Sequence, residues 1–153
     1  MKHSRKFFLV MLFVALNALL VSLPAQAGVS CHKINARGTG QDHGDFTTEA
    51  QIRGGGLLQG TTTAAFAPTG QVGTVVSFAG TVTFTTNKAT LTVSVTGTLD
   101  IATGAFSSSG PVTASTGKLA GATGNLTLNG VENLSTGAFT ETIDGQICVD
   151  LSP

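Results

Sequence analysis

Val76-Ser77-Phe78-Ala79-Gly80-Thr81-Val82-Thr83-Phe84-Thr85-Thr86-Asn87-Lys88-Ala89-Thr90-Leu91-Thr92-Val93-Ser94-Val95-Thr96-Gly97-Thr98-Leu99-Asp100-Ile101 decides the fold class. Val76, Phe78, Val82 and Phe84 fall on one face, against Ser77, Ala79, Thr81, Thr83 and Thr85. After a turn at Thr86-Asn87-Lys88, Leu91, Val93, Val95, Leu99 and Ile101 alternate with Thr90, Thr92, Ser94, Thr96, Thr98 and Asp100. Period two with one apolar face is the pattern of half-buried strands. Val and Thr favour extended backbone because their χ1 is restricted in a helix.

Outward from this block the pattern weakens but keeps its period. Upstream, Phe46, Thr48, Ala50 and Ile52 alternate with Thr47, Glu49, Gln51 and Arg53, and Gly54-Gly55-Gly56 breaks that strand. Leu58, Gly60, Thr62, Ala64 and Phe66 make a weaker strand, which Ala67-Pro68-Thr69-Gly70 is expected to close as a turn. A short first strand over Cys31–Arg37 and a loop over Gly38–Asp45 are expected before it. Downstream, Phe139, Ile143, Ile147 and Val149 share one face with Glu141, and Cys148 points to the other. Nothing after residue 27 has a sustained three-and-four spacing, so no long helix is expected.

Two decamers align without a gap: Gly97–Phe106 and Gly130–Phe139, each ending Thr-Gly-Ala-Phe. Both read as hairpin tips: a glycine-bearing turn, then a strand that opens with an inward Phe. Short strands, Gly-rich turns and no helix predict an all-β domain, an antiparallel barrel or a β-sandwich.

The first residues set the compartment. Lys2, Arg5 and Lys6 precede an apolar run from Phe7 to Leu23, and Ala25-Gln26-Ala27 follows. A charged segment, an apolar segment and an A-x-A site define a secretory signal peptide over residues 1–27. It leaves residues 28–153 as one domain and directs the chain to the periplasm or outside the cell, with no stable membrane anchor. Gly28 stands three before Cys31, against lipidation of that cysteine. Beyond the leader, five Lys and Arg face eight Asp and Glu. The balance of about −3 offers no basic patch for nucleic acid. Two cysteines in an exported chain are most simply one disulfide, Cys31–Cys148, which would tie the first strand to the last and favour closure into a barrel.

The segment Thr116-Gly117-Lys118-Leu119-Ala120-Gly121-Ala122-Thr123-Gly124 resembles the signature G-x-F-x-G-A-x-G of the allene oxide cyclase-like and dirigent-like barrels. It is still more similar to a broad set of secreted bacterial proteins that share the pattern. Leu119 stands where the signature has an aromatic, and the resemblance spans roughly Gly97 to Val149. It implies a single antiparallel barrel of about eight strands, the size whose interior is either filled or holds one small ligand.

Chemistry-bearing motifs are few. Asp42-His43-Gly44-Asp45 has the composition of a metal loop but equally of a polar turn, and no ligand cluster completes it, so no metal and no cofactor are expected. His32 and His43 are the only histidines beyond the leader. There is no Gly-x-Ser-x-Gly elbow and no phosphate loop. The chain has no Trp and no Tyr, which disfavours stacking on sugars. Asn125-Leu126-Thr127 and Asn133-Leu134-Ser135 are glycosylation sequons, relevant only to a eukaryotic secretory route. Glu141 is the one weak candidate for acid–base catalysis, because its face is otherwise apolar; a rim position or an ion pair is the plainer expectation.

Three readings of function follow. The first is a non-catalytic secreted barrel that binds a small apolar molecule, its lumen lined by Phe78, Phe84, Leu91, Val93, Val95, Leu126, Leu128, Phe139 and Ile143, with Gly80 and Gly97 leaving space. The second, which the resemblance implies, is a cyclase or isomerase. The third is a surface interaction module using the Thr-rich outer face. An inward carboxylate beside an open cavity favours the second, and a filled lumen the third.

Overall fold

The alternation read over residues 76–101 extends through eight strands that close on themselves. The computed structural model describes residues 28–152; the expected signal peptide lies outside them. The strands are β1 (Ser30–Asp42), β2 (Thr47–Gly54), β3 (Gly60–Val72), β4 (Val75–Thr85), β5 (Thr90–Asp100), β6 (Ala105–Ser115), β7 (Thr123–Glu132) and β8 (Ala138–Val149). Each pairs antiparallel with the next, and β8 returns to β1, so no edge is left to template aggregation. The only helical turns among the described residues are two short 3-10 segments, Gly56–Leu58 and Gly117–Leu119. No helix among the described residues is long and apolar enough to cross a membrane.

Closure comes from the β1–β8 ladder, which runs from Ser30 opposite Val149 to Gln41 opposite Ala138. Cys31 lies directly across from Cys148 in that ladder and is bonded to it. A disulfide of this kind belongs to an oxidising compartment, outside the cell or in the periplasm.

Several expected boundaries move. Gly38 and Gly40 belong to β1 rather than to a loop, and only residues 43–46 turn the chain. Ala67-Pro68-Thr69-Gly70 is not a turn. β3 continues through it with a register shift between Pro68 and Gly70, and reverses at Gly73-Thr74. Proline lacks the N–H that a regular ladder needs, and a bulge removes that requirement. Ile101 lies in the turn after β5 and is exposed. The two Thr-Gly-Ala-Phe copies form the same structure. Gly104 and Gly137 have positive φ, 75° and 73°, and their N–H groups donate to Asp100 O and Asn133 O, both at 2.7 Å. β6 and β8 then begin at Ala105 and Ala138.

The interior has two halves. Towards the end where β1 begins and β8 ends it is solid. Ile34, Ile52, Phe84, Leu91, Leu126 and Ile147 are fully buried there, and Leu58 and Leu119 from the two 3-10 turns seal the base. The Thr116–Gly124 segment, whose pattern suggested a barrel, thus forms part of the plug. Towards the other end the aliphatic filling gives way to phenylalanine, and each ring lies across from a glycine on the neighbouring strand. Phe66 faces Gly80, Phe78 faces Gly97, Phe106 faces Gly130 and Phe139 faces Gly40. A Cβ on these glycines would stand 2.3 to 2.7 Å from an atom of the facing ring. Gly80 and Gly97 therefore hold rings rather than leave space.

Removing the disulfide tests the closure. Its two cysteines are 117 residues apart, and a loop that long is worth about 4–5 kcal/mol through the unfolded chain. The Cys31→Ala/Cys148→Ala double variant should lose stability on that scale in urea unfolding. A loss under about 1 kcal/mol would mean that the bond does not constrain the unfolded chain as loop entropy requires.

Candidate functional site

The phenylalanine belt does not fill the open end. It surrounds a cavity of about 130 Å³ that opens between the turns 43–46, 73–74, 101–104 and 133–137. A cavity near 150 Å³ is enough to hold a benzene-sized molecule. Phe66, Phe78, Phe106 and Phe139 form the wall, paired edge to face: Phe66 with Phe78 at 5.1 Å between centroids and Phe106 with Phe139 at 5.9 Å. Such pairs add about 0.5–1.5 kcal/mol beyond their buried area and fix ring orientation. The decamer repeat supplies equivalent positions: Leu99 and Phe106 from one hairpin, Glu132 and Phe139 from the other.

Phe46 stands at the mouth. It is the only non-glycine among the described residues with positive φ, 64°, and its side chain is 58% exposed while still lining the cavity. The sequence places it on a core face. The turn that precedes it prevents that: Asp42 Oδ1 accepts the Gly44 N–H at 2.6 Å, and Asp45 Oδ1 accepts the Thr47 N–H at 3.1 Å. The Asp42-His43-Gly44-Asp45 segment is thus a polar turn. Among the described residues no group of three or more His, Cys, Asp or Glu side chains could hold a metal ion. His32 is at the far end of the barrel, beside Ser30 Oγ at 2.8 Å.

Glu141 lies at the floor of the cavity, 8% exposed. It is not on the rim, and it is in no ion pair among the described residues. Gly38 and Gly130 flank it in register on β1 and β7. A Cβ on Gly38 would stand 2.5 Å from Glu141 Oε1, so only glycine lets the carboxyl lie there. No hydrogen bond holds this carboxyl among the described residues. Burial pushes its pKa up from 4.5 to about 7. Glu132 also lines the cavity, and its pKa is raised by burial and, second, by the charge of Asp42.

Of the lining residues expected from sequence, Phe78 and Phe139 border the cavity. Phe84, Leu91, Val93, Val95, Leu126, Leu128 and Ile143 lie in the solid part of the core. Asp42, Phe46, Phe66, Phe106, Ser108 and Glu132 also border the cavity, although they are not among the lining residues expected from sequence. Alternation alone places two of them inward: Glu132 continues the face of Leu126 and Leu128, and Asp42 continues that of Ile34 and Ala36. No protein-family model, no curated protein and no solved structure matches the chain.

Glu141 makes stability depend on pH. Its carboxyl titrates at about 7 when folded and near 4.5 when not. The folded state therefore keeps a proton that the unfolded chain has lost across that window. Stability contributed by the protonated form is complete below pH 4.5 and falls as pH rises to about 7, by about 3 kcal/mol in all. Glu141→Gln should flatten this decline and be more stable than wild type at pH 8 by up to that amount. Urea midpoints at pH 4.5 and pH 8 measure it; an equal decline in both proteins would mean that Glu141 ionises freely.

Proposed function

We propose that this protein is an exported, non-catalytic barrel that binds a small apolar molecule in its phenylalanine-lined open end. The single observation that carries this is the division of the interior, solid over one half and hollow over the other. Nothing in the fold requires the hollow half. The glycine opposite each ring draws the rings back against the wall, where an aliphatic filling like that below would leave no room. An apolar cup with a few convergent polar groups is the usual form of a ligand site. Phe46 supports the same reading, since non-glycine residues at positive φ cluster at ligand clamps.

A second reading, an isomerase or cyclase of the allene oxide cyclase kind, is favoured by one observation: Glu141 is inward, beside the cavity, with a pKa near neutrality. It stays second because no group orients that carboxyl, and burial is the only cause of its shift. A base positioned for catalysis is normally held by a neighbour. The third reading, a surface module, rests on β3 to β6, whose residues from Gly60 to Ser115 carry outward Thr and Ser and only two charges, Lys88 in a turn and Asp100 at the end of β5.

The neutral hydrocarbon tert-butylbenzene is a suitable probe, followed by calorimetry and by thermal shift. Gly80→Leu is the wrong block, because a Cβ there would stand 2.2 Å from Ala65 O and break the sheet. Val76→Trp is the right one: Val76 is half-buried at the rim of the cavity, with space beside it. It should abolish the thermal shift and keep the fold. Phe46→Gly should weaken binding while unfolding no more easily, since it relieves a left-handed conformation worth about 1 kcal/mol. Undiminished binding in Val76→Trp would place the ligand elsewhere.

A further inference from the structure

Three carboxylates border the cavity, Asp42 from β1, Glu132 from β7 and Glu141 from β8. The strands β2 to β6 and the turn after β1 contribute Thr, Phe, Pro, Val, Leu and Ser, so among the described residues no Lys, Arg or His side chain lines the cavity beside the acids. A neutral apolar ligand needs none of them. It would leave Glu141 buried without a partner and Glu132 facing the charge of Asp42. A buried acid without a partner is costly, so Glu141, with two half-buried carboxylates above it in a largely apolar cup, calls for a ligand that satisfies it.

We propose that the open end of the barrel takes a lipophilic ammonium ion, its alkylated nitrogen seated among the phenylalanine rings and facing Glu141, Glu132 and Asp42.

This rests on the open end being a ligand site and specifies the ligand's class. The rings suit such a group from their own side. A ring face carries a negative quadrupole and attracts a cation within about 6 Å, and aromatic cages are a recurrent solution for alkylated ammonium groups. The edge-to-face geometry of both phenylalanine pairs turns one ring of each pair roughly perpendicular to the other, at 61° and 84°. A hard inorganic cation is the poorer fit. It takes six or more oxygen ligands for calcium, and these carboxylates do not gather into a metal-holding group among the described residues.

The test compares two molecules of one shape, phenyltrimethylammonium and tert-butylbenzene, which differ by a charged nitrogen in place of a carbon. Titration calorimetry on the disulfide-bonded protein at pH 8 should give the ammonium ion roughly ten-fold or greater preference. The preference should fall several-fold in Glu141→Gln and in Glu132→Gln, and on lowering the pH to 5. Glu141→Gln is expected to fold at least as well as wild type, so its loss of preference would not be a loss of structure. Equal or tighter binding of tert-butylbenzene overturns the charge assignment and keeps the cavity as a neutral apolar site. A preference that survives in both Gln variants overturns it too, since the carboxylates would then not be its source. Failure of both molecules to bind overturns the site itself.

Discussion

Close approach between side chains and glycine backbone is the constraint on which the upper half of this barrel depends. An eight-stranded barrel is narrow enough for its own side chains to fill. Here four phenylalanines point inward at the open end, and each packs against a glycine of the adjacent strand. Glycine in a strand is normally a weakness, because it packs nothing and loses most entropy on folding. Covered by an aromatic from the next strand, it becomes the means of holding large rings against the wall. The same device admits Glu141, whose carboxyl occupies the space that a side chain on Gly38 would take.

The two halves of the molecule consequently answer to different demands. Below, branched and aliphatic side chains pack to complete burial under the two leucines of the 3-10 turns, and the disulfide joins the strands that complete the cylinder. That half supplies the stability. Above, polar and strained features collect: a raised pKa at Glu141, mutual repulsion between Glu132 and Asp42, and left-handed backbone at Phe46. Departures from good local design gathered on one cavity, in a chain otherwise consistent at every level, are what a functional site looks like physically.

The outer surface adds little to this division. Hydroxyl groups rather than charges carry its polarity on β3 to β6, with Thr83 and Thr92 sharing a hydrogen bond across β4 and β5 at 3.1 Å. Cross-strand threonine pairs of that kind stabilise a sheet locally.

What the sequence by itself determined is whatever depends on period and on residue type. Alternation over residues 76–101 marks strands, because successive side chains point to opposite faces. The repeated Thr-Gly-Ala-Phe marks two equivalent hairpin tips, because the turn needs positive φ at its glycine. One cysteine near each end marks the bond between first and last strands. What only the tertiary structure decided is depth along the barrel axis. Phe84 and Phe78 stand on the same face of β4, yet one is sealed in the core and the other borders the cavity. Nothing in their alternation distinguishes them, since period two encodes face and not height. Glu141 was visible as an acid on an apolar face, but its isolation depended on Gly38 and Gly130, 103 and 11 positions away in the chain and beside it only once β8 had closed against β1 and β7. Pro68 looks like a turn residue and Gly38 like a loop residue for the same reason. Their compatibility with a strand came from a bulge and from a side chain lying over them, contacts between segments that no local pattern contains.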